Sequence, residues 1–268
     1  KPEDVIRIEY HDEPSLRYGD NVAAVLNYIV RRHQTGGYIG INADIPMSCI
    51  WGNNNVTAKI NHKKSEWGIN YYGGYRSFKN YWRENSETFN FENDPSFTRV
   101  EEGIPDKVKM HRDNLTMSYS YQEEEKWFIN VALRGNFRGN KQNTQSTLYP
   151  ISNPANSVEM KDYTGSNSKS PSLDIYLQRN LKHNQAIILN TVGTYIHTYD
   201  DRTYEEKKHS DIVTDIYSAI RGKKYSFIGE GIYEKRFTNS KFSTGIRHQQ
   251  SLTENRYAGT SSAETQMQ

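Results

Sequence analysis

Cysteine is nearly absent from this 268-residue chain, with Cys49 as the single example. One thiol allows neither an intrachain disulfide framework nor a thiolate metal cluster. Aliphatic bulk is scarce as well: Leu, Ile, Val and Phe together make up 52 residues, or 19%. A fraction that low accompanies disorder when net charge is high. Here 34 Lys and Arg stand against 32 Asp and Glu, for a net charge of +2. The same balance leaves no basic excess to release counterions, so no nucleic-acid partner is expected. No apolar run approaches the ~18 residues of a membrane helix; the longest is Val22-Ala23-Ala24-Val25-Leu26. Lys1-Pro2-Glu3-Asp4-Val5 has no apolar leader region, so the chain reads as cytosolic or as lacking its N-terminus.

Aromatic residues are plentiful: 20 Tyr, 9 Phe and 4 Trp. Order-promoting rings with little aliphatic bulk fit a sheet that is apolar on one face and polar on the other. Mean hydropathy is −0.91, which looks soluble, but transmembrane strands alternate and average out to polar.

Helical periodicity is confined to Asp20–Leu26, where Asp20 can cap a short turn. From Gly36 onward the period is two. Leu115, Met117, Tyr119 and Tyr121 alternate with Thr116, Ser118 and Ser120. Trp127, Ile129, Val131, Leu133 and Phe137 alternate with Asn130, Ala132, Arg134 and Asn136, with Phe128 out of step. Trp67, Ile69, Tyr71 and Tyr75 alternate with Asn70, Gly74 and Arg76, with Tyr72 out of step; Leu173, Ile175, Leu177 and Leu181 alternate with Asp174, Tyr176, Gln178 and Asn180. Such alternation sorts side chains onto the two faces of a strand. Residues 38–45, 56–62, 81–91, 186–199, 212–221, 225–234 and 242–249 add seven candidates, for eleven strands. Many reach the ~9–11 residues of a tilted membrane-crossing strand. Gln122–Glu125 and Gly222-Lys223-Lys224 read as tight turns, and Arg138–Ser170 as a long loop. Short turns at one end and long loops at the other are the pattern of an outer-membrane barrel. Tyr71, Tyr72, Tyr75, Trp82, Trp127, Phe128, Tyr195, Tyr199, Tyr225 and Tyr233 fall near predicted strand ends, which fits an interfacial girdle and equally fits cross-strand aromatic pairing in an ordinary sheet.

Motifs for chemistry are missing. There is no G-x-S-x-G, no H-E-x-x-H, no P-loop and no dinucleotide fingerprint, so the chain is not read as an enzyme, and no cofactor or metal is expected. The eight histidines have no ligand spacing. Asp200-Asp201 with Glu205-Glu206 has the carboxylates for a hard cation but reads more simply as a solvated acidic loop.

The N-terminal segment differs from the rest. It contains Ile6-Arg7-Ile8-Glu9-Tyr10, then Pro14-Ser15-Leu16-Arg17-Tyr18-Gly19, then Ala24-Val25-Leu26-Asn27-Tyr28-Ile29-Val30-Arg31. This order of strand, turn and strand resembles the end of the plug domain of TonB-dependent outer-membrane receptors, in the Bacteroidetes branch with an outer membrane protein β-barrel. Glu13 and Ala23-Ala24 depart from that family's glycines. The motif covers about 30 residues; the remainder is similar through its alternation and tyrosine content.

The resemblance implies an all-β fold, with residues 1–36 as the end of a plug and residues 37–268 as the first part of an antiparallel transmembrane barrel. It implies uptake of a scarce nutrient (siderophore, cobalamin, haem or glycan) across the bacterial outer membrane. Partners would be membrane lipid, the small ligand, and the TonB energy-transducing complex through a missing N-terminal segment. By the same resemblance Arg7, Glu9 and Arg17 are expected as plug–barrel contacts; no substrate-binding residue is assigned. The alternatives are a soluble β-rich carbohydrate-binding module with an aromatic face and a small closed barrel with enzymatic activity.

Overall fold

The computed structural model describes residues 5–11, 24–30, 35–46, 50–92, 94–123, 126–260 and 262–267. Among these there is no helix. The strands are β1 (Val5–His11), β2 (Val25–Val30), β3 (Thr35–Asp44), β4 (Ile50–His62), β5 (Ser65–Tyr81), β6 (Glu84–Phe89), β7 (Phe97–Ile104), β8 (Asp106–Glu123), β9 (Trp127–Pro150), β10 (Val158–Leu181), β11 (Gln185–Lys208), β12 (Asp211–Arg236), β13 (Lys241–Gly259) and β14 (Ser262–Met267). β1 and β2 form a two-stranded sheet of their own; the other twelve form one sheet. Val25 and Leu26, expected at the end of a helical turn, lie in β2.

Every pairing in the large sheet is antiparallel. β5 and β6 are collinear, as are β7 and β8: β8 pairs β9 up to Gln142, and β7 takes over from Gln145. Pro105 separates β7 from β8 and has no amide to donate to the ladder. The twelve strands therefore trace ten lines of an up-and-down meander, each beside its neighbour in sequence. The sheet is not closed. β3 is one edge, and β14 covers β13 only near its end, from Asn255 to Gly259.

Two expectations about connections are corrected. Arg138–Ser170 is the far halves of β9 and β10, joined through residues 151–157. Gly222-Lys223-Lys224 lies inside β12, where Gly222 pairs Thr198 and Asn255, so residues 212–221 and 225–234 belong to one strand. β9, β10 and β11 are 24 residues each and β12 is 26, more than twice the length that crosses a bilayer. β7 had no counterpart among the expected strands.

Residues directly opposite each other in an antiparallel pair share a face, so register assigns faces across the sheet. One line runs Ile39, Ala58, Ile69, Met117, Leu133, Leu173, Gly193, Phe227. Another runs Ile60, Trp67, Tyr119, Val131, Ile175, Thr191, Gly229. This face is almost wholly apolar from β3 to β12. The opposite face carries Thr57, Asn70, Thr116, Arg134, Asp174 and Thr194, with an Arg134–Asp174 ion pair at 3.1 Å. The two misfits belong to this polar side. Phe128 meets Tyr176 at 5.6 Å between ring centroids, and Tyr72 donates to Asn53 Oδ1 at 2.9 Å.

The apolar face is uncovered by any second layer among the described residues. Ile39, Ile60, Trp67, Met117, Leu133, Leu189, Phe227 and Ile246 are all more than 40% exposed. The total accessible surface is 19150 Å², against about 12,000 Å² for a compact soluble protein of this mass. Val108, Leu148 and Met160, among the most deeply buried side chains, lie on the polar side toward the far ends of the strands.

Candidate functional site

On β9 the apolar stretch of this face spans residues 127–137; beyond it come Gly139, Lys141, Asn143 and Gln145. On β11 it spans 187–195, followed by His197, Tyr199 and Asp201. The long strands thus leave the apolar belt and continue as ribbons that are polar on this face too. Along these extensions, on the opposite face, the sheet builds its densest polar cluster.

Glu101 on β7 lies opposite Leu148 of β9 and is buried, at 7% exposure. Arg83 sits in the short link between β5 and β6. Its backbone passes against Gly103, where any Cβ would collide with the Arg83 peptide. From there Arg83 Nε donates to Glu101 Oε2 at 3.0 Å and Nη2 donates to Oε1 at 2.9 Å. Ser146 Oγ donates to the same carboxylate at 3.0 Å. A buried charge needs this coverage, since an unpaired one is costly.

Arg202 and Asp162 form a second fork, Nε to Oδ1 and Nη2 to Oδ2, both at 2.8 Å. The Arg202 guanidinium lies over the Tyr204 ring at 5.2 Å. Tyr204 donates to Glu206, which also accepts from Thr214 Oγ1 at 3.3 Å. Arg99 bridges more loosely, at 3.6 Å to Glu206 and 3.8 Å to Glu87.

These groups surround a pocket of about 330 Å³ floored by Leu148, Met160 and Ile216. Burial pushes the Tyr204 hydroxyl well above its ordinary value, helped by its hydrogen bond to Glu206 and opposed by Arg99. The hydrogen bonds to Glu101 and Asp162 raise Arg83 and Arg202, against burial. The pocket therefore offers fixed guanidinium and carboxylate groups over an apolar floor, which suits a small polar ligand held by several hydrogen bonds. Its carboxylates are committed to arginines, and no cluster of His, Cys, Asp or Glu among the described residues is arranged to hold a metal.

The acidic run expected as a loop is strand β11. Alternation sends Asp200 and Glu206 to one face and Asp201 and Glu205 to the other, so the four carboxylates do not converge. Glu205 pairs Lys207 at 2.8 Å, and of the four only Glu206 reaches residues of the pocket, Tyr204 and Arg99.

Of the residues singled out by sequence, Arg7 lies on β1 opposite Ile29, and Glu9 opposite Asn27. Arg17 lies outside the described residues. Ile8 and Tyr10, on the other face of β1, are 54% and 66% exposed. Sequence reasoning missed Arg83, Glu101, Asp162 and Arg202. They are far apart in the chain, and no spacing links them; the register of long strands brings them together.

The fold and this site define a single-layer, up-and-down antiparallel sheet with one apolar face and a polar pocket on the other. No protein family, curated protein or solved structure matches the chain.

Proposed function

We propose that this chain forms part of the wall of a membrane β-barrel that works as a TonB-dependent outer-membrane receptor for a small nutrient. In this reading residues 37–268 belong to the barrel and residues 1–36 to the end of its plug. The observation that carries the membrane reading is the continuous, exposed apolar face. Soluble monomers rarely expose apolar patches beyond a few hundred Å², whereas this one extends across most of the sheet.

Three further features support it. The belt is 9–11 residues tall on β9 and β11, as a tilted crossing strand requires. Aromatic residues edge it on both sides: Tyr71, Phe137, Tyr195 and Tyr225 at one rim, and Tyr121, Trp127 and Tyr233 at the other, as in an interfacial girdle. The hairpin ends are also staggered. Ser65, the first residue of β5, shares a register line with Tyr121, Ile129, Leu177, Leu189 and Gly231. Gly231 is five residues short of Arg236, the end of β12, after five strand steps. Levelling those turns tilts the strands by about 35°, the tilt of a closed barrel.

The receptor assignment rests on the resemblance of the N-terminal strand–turn–strand order. It places the apolar face against bacterial outer-membrane lipid and the polar face toward the lumen. The pocket around Arg83, Glu101 and Arg202 then faces the lumen outside the bilayer, where an arriving ligand meets it. Energy for release would come from the TonB complex acting on the plug. A soluble carbohydrate-binding module would need a second layer over the apolar face, and the described residues supply none.

The test is fractionation of the full-length gene product. The proposal expects it in the outer membrane, extracted only by detergent, with a folded form that resists cold SDS and shifts in mobility on boiling. Recovery as a soluble monomer without detergent would overturn it.

A further inference from the structure

We propose that the apolar face of β9–β13 carries a binding site for a phosphorylated lipid, with an acyl chain in a groove over Gly193 and the phosphate on Lys169, His197 and Lys223. The inference rests on the membrane reading, because the lipid is drawn from the surrounding leaflet.

The groove measures about 560 Å³, and its walls include Leu133, Leu173, Tyr195, Tyr225, Phe227 and Leu252. Its origin is a missing side chain. Gly193 stands between Leu173 and Phe227 on one register line, and a Cβ built there would meet nothing within 4 Å. A gap of that shape along an apolar wall accepts a flexible hydrocarbon chain.

Four residues further along β11 the face changes character within one register line, which reads Lys169, His197, Lys223. Adjacent strands lie about 5 Å apart, so the three side chains span roughly 10 Å, the width of a headgroup. Neither Lys169 nor Lys223 has a carboxylate partner among the described residues, and both are exposed. The nearest acid on the line, Glu254, is held by Arg256 at 2.8 Å. The His197 ring lies parallel to Tyr195, at 6.5 Å, and Tyr195 meets Tyr225 at 4.9 Å. The cations therefore sit directly beyond the aromatic rim, where lysines on an apolar wall reach the headgroup plane.

The opposite rim is different. There Arg179 lies over Trp127 at 4.9 Å and Lys235 over Phe237 at 5.0 Å, so these two cations are already engaged. Charge complementarity selects an anionic phosphate, and the groove selects a lipid over a free ion.

The experiment uses the full-length protein in a neutral maltoside detergent, with phosphatidic acid as the probe and native mass spectrometry to measure retention. Wild type should retain phosphatidic acid at least tenfold better than diacylglycerol, and millimolar inorganic phosphate should not displace it. Lys169→Gln with Lys223→Gln should weaken retention roughly 20-fold, from about fivefold per cation at an anionic surface. Gly193→Leu, which has room for its side chain, should weaken it by filling the groove. Arg179→Gln with Lys235→Gln should change nothing. Mobility shift on boiling confirms that each variant is folded. Equal retention by wild type and the paired lysine variant, or displacement by inorganic phosphate, overturns the site while leaving the membrane reading intact. A protein that needs no detergent overturns the membrane reading itself.

Discussion

Arg83, in the β5–β6 link, holds Glu101 of strand β7 with two nitrogens, Nε at 3.0 Å and Nη2 at 2.9 Å. The pair fastens the β5–β6 link onto β7. Removing the arginine strands a nearly enclosed carboxylate. Loss of a partner costs ~3–5 kcal/mol in a fully buried pair; Arg83 is half exposed, so Arg83→Ala should cost about 2 kcal/mol, and locally. Glu101→Gln keeps a group that Ser146 can reach and should cost less. Amide exchange across β7 measures both, and unchanged protection in Arg83→Ala would show that the fork holds nothing in place.

Val131 and Asn130 are adjacent in sequence and opposite in surroundings. Val131 lies on the apolar face between Tyr119 and Ile175, while Asn130 accepts from Ser120 Oγ at 3.0 Å on the polar face. Val131→Arg should cost ~2–4 kcal/mol of folding free energy in a bilayer. Asn130→Arg should cost under about 1 kcal/mol. Folding titrations into lipid vesicles compare the two, and similar losses would sink the one-sided assignment.

How much was legible in the sequence follows from this contrast. Where one face must be apolar and the other polar, alternation is strong, and the stretches around Met117, Val131 and Ile175 were readable. Beyond the belt neither face demands apolar residues. Arg138–Pro150 and Val158–Ser170 are therefore mostly polar, with isolated exceptions such as Leu148 and Met160, and look like a loop, although they are paired residue by residue. Gly222-Lys223-Lys224 looks like a turn for the same reason. The aromatic residues were read as marking strand ends, yet Tyr195 and Tyr225 lie mid-strand, at the edge of the belt. The pocket was unreadable because its carboxylates and guanidiniums meet only through long-range register.

Tyr204 gives a pH-dependent signature. Its hydroxyl is held above the ordinary tyrosine value near 10, chiefly by burial. An unfolded chain ionises this group near pH 10 while the folded chain keeps it neutral. The unfolded state then binds fewer protons, so this contribution to stability is complete below pH 10 and falls as pH rises above it. Tyr204→Phe should abolish that dependence and cost about 1 kcal/mol through the lost hydrogen bond to Glu206. Phenolate absorbance in wild type minus variant should appear above the range of the exposed tyrosines. A Tyr204 that titrates with the exposed ones would contradict the burial argument.

Arg7 and Glu9 on β1, with Arg17, are expected to tie the plug to the barrel wall in the receptor reading. Neutralising Arg7 and Arg17 together should raise passive leak or alter uptake by severalfold in cells, with ligand binding nearly unchanged. A large loss of binding with normal leak would assign these arginines to the ligand.

The outer side of β13 tests closure most directly. β12 covers its inner side from Lys241 to Gly259, while β14 covers the outer side only from Asn255 onward. Among the described residues, 241–254 thus present unpaired amides and carbonyls beside apolar side chains such as Ile246 and Leu252, which are 77% and 63% exposed. Every second backbone group there points outward. Water can satisfy such an edge, but hydrocarbon cannot, and each unmet group in lipid costs several kcal/mol. A barrel wall must therefore pair this edge with another strand. In the full-length protein in detergent, the amides of residues 241–254 should exchange as slowly as those of β12. Exchange within seconds along that stretch, beside a protected β12, would mean that the edge stays open and that the sheet does not close there.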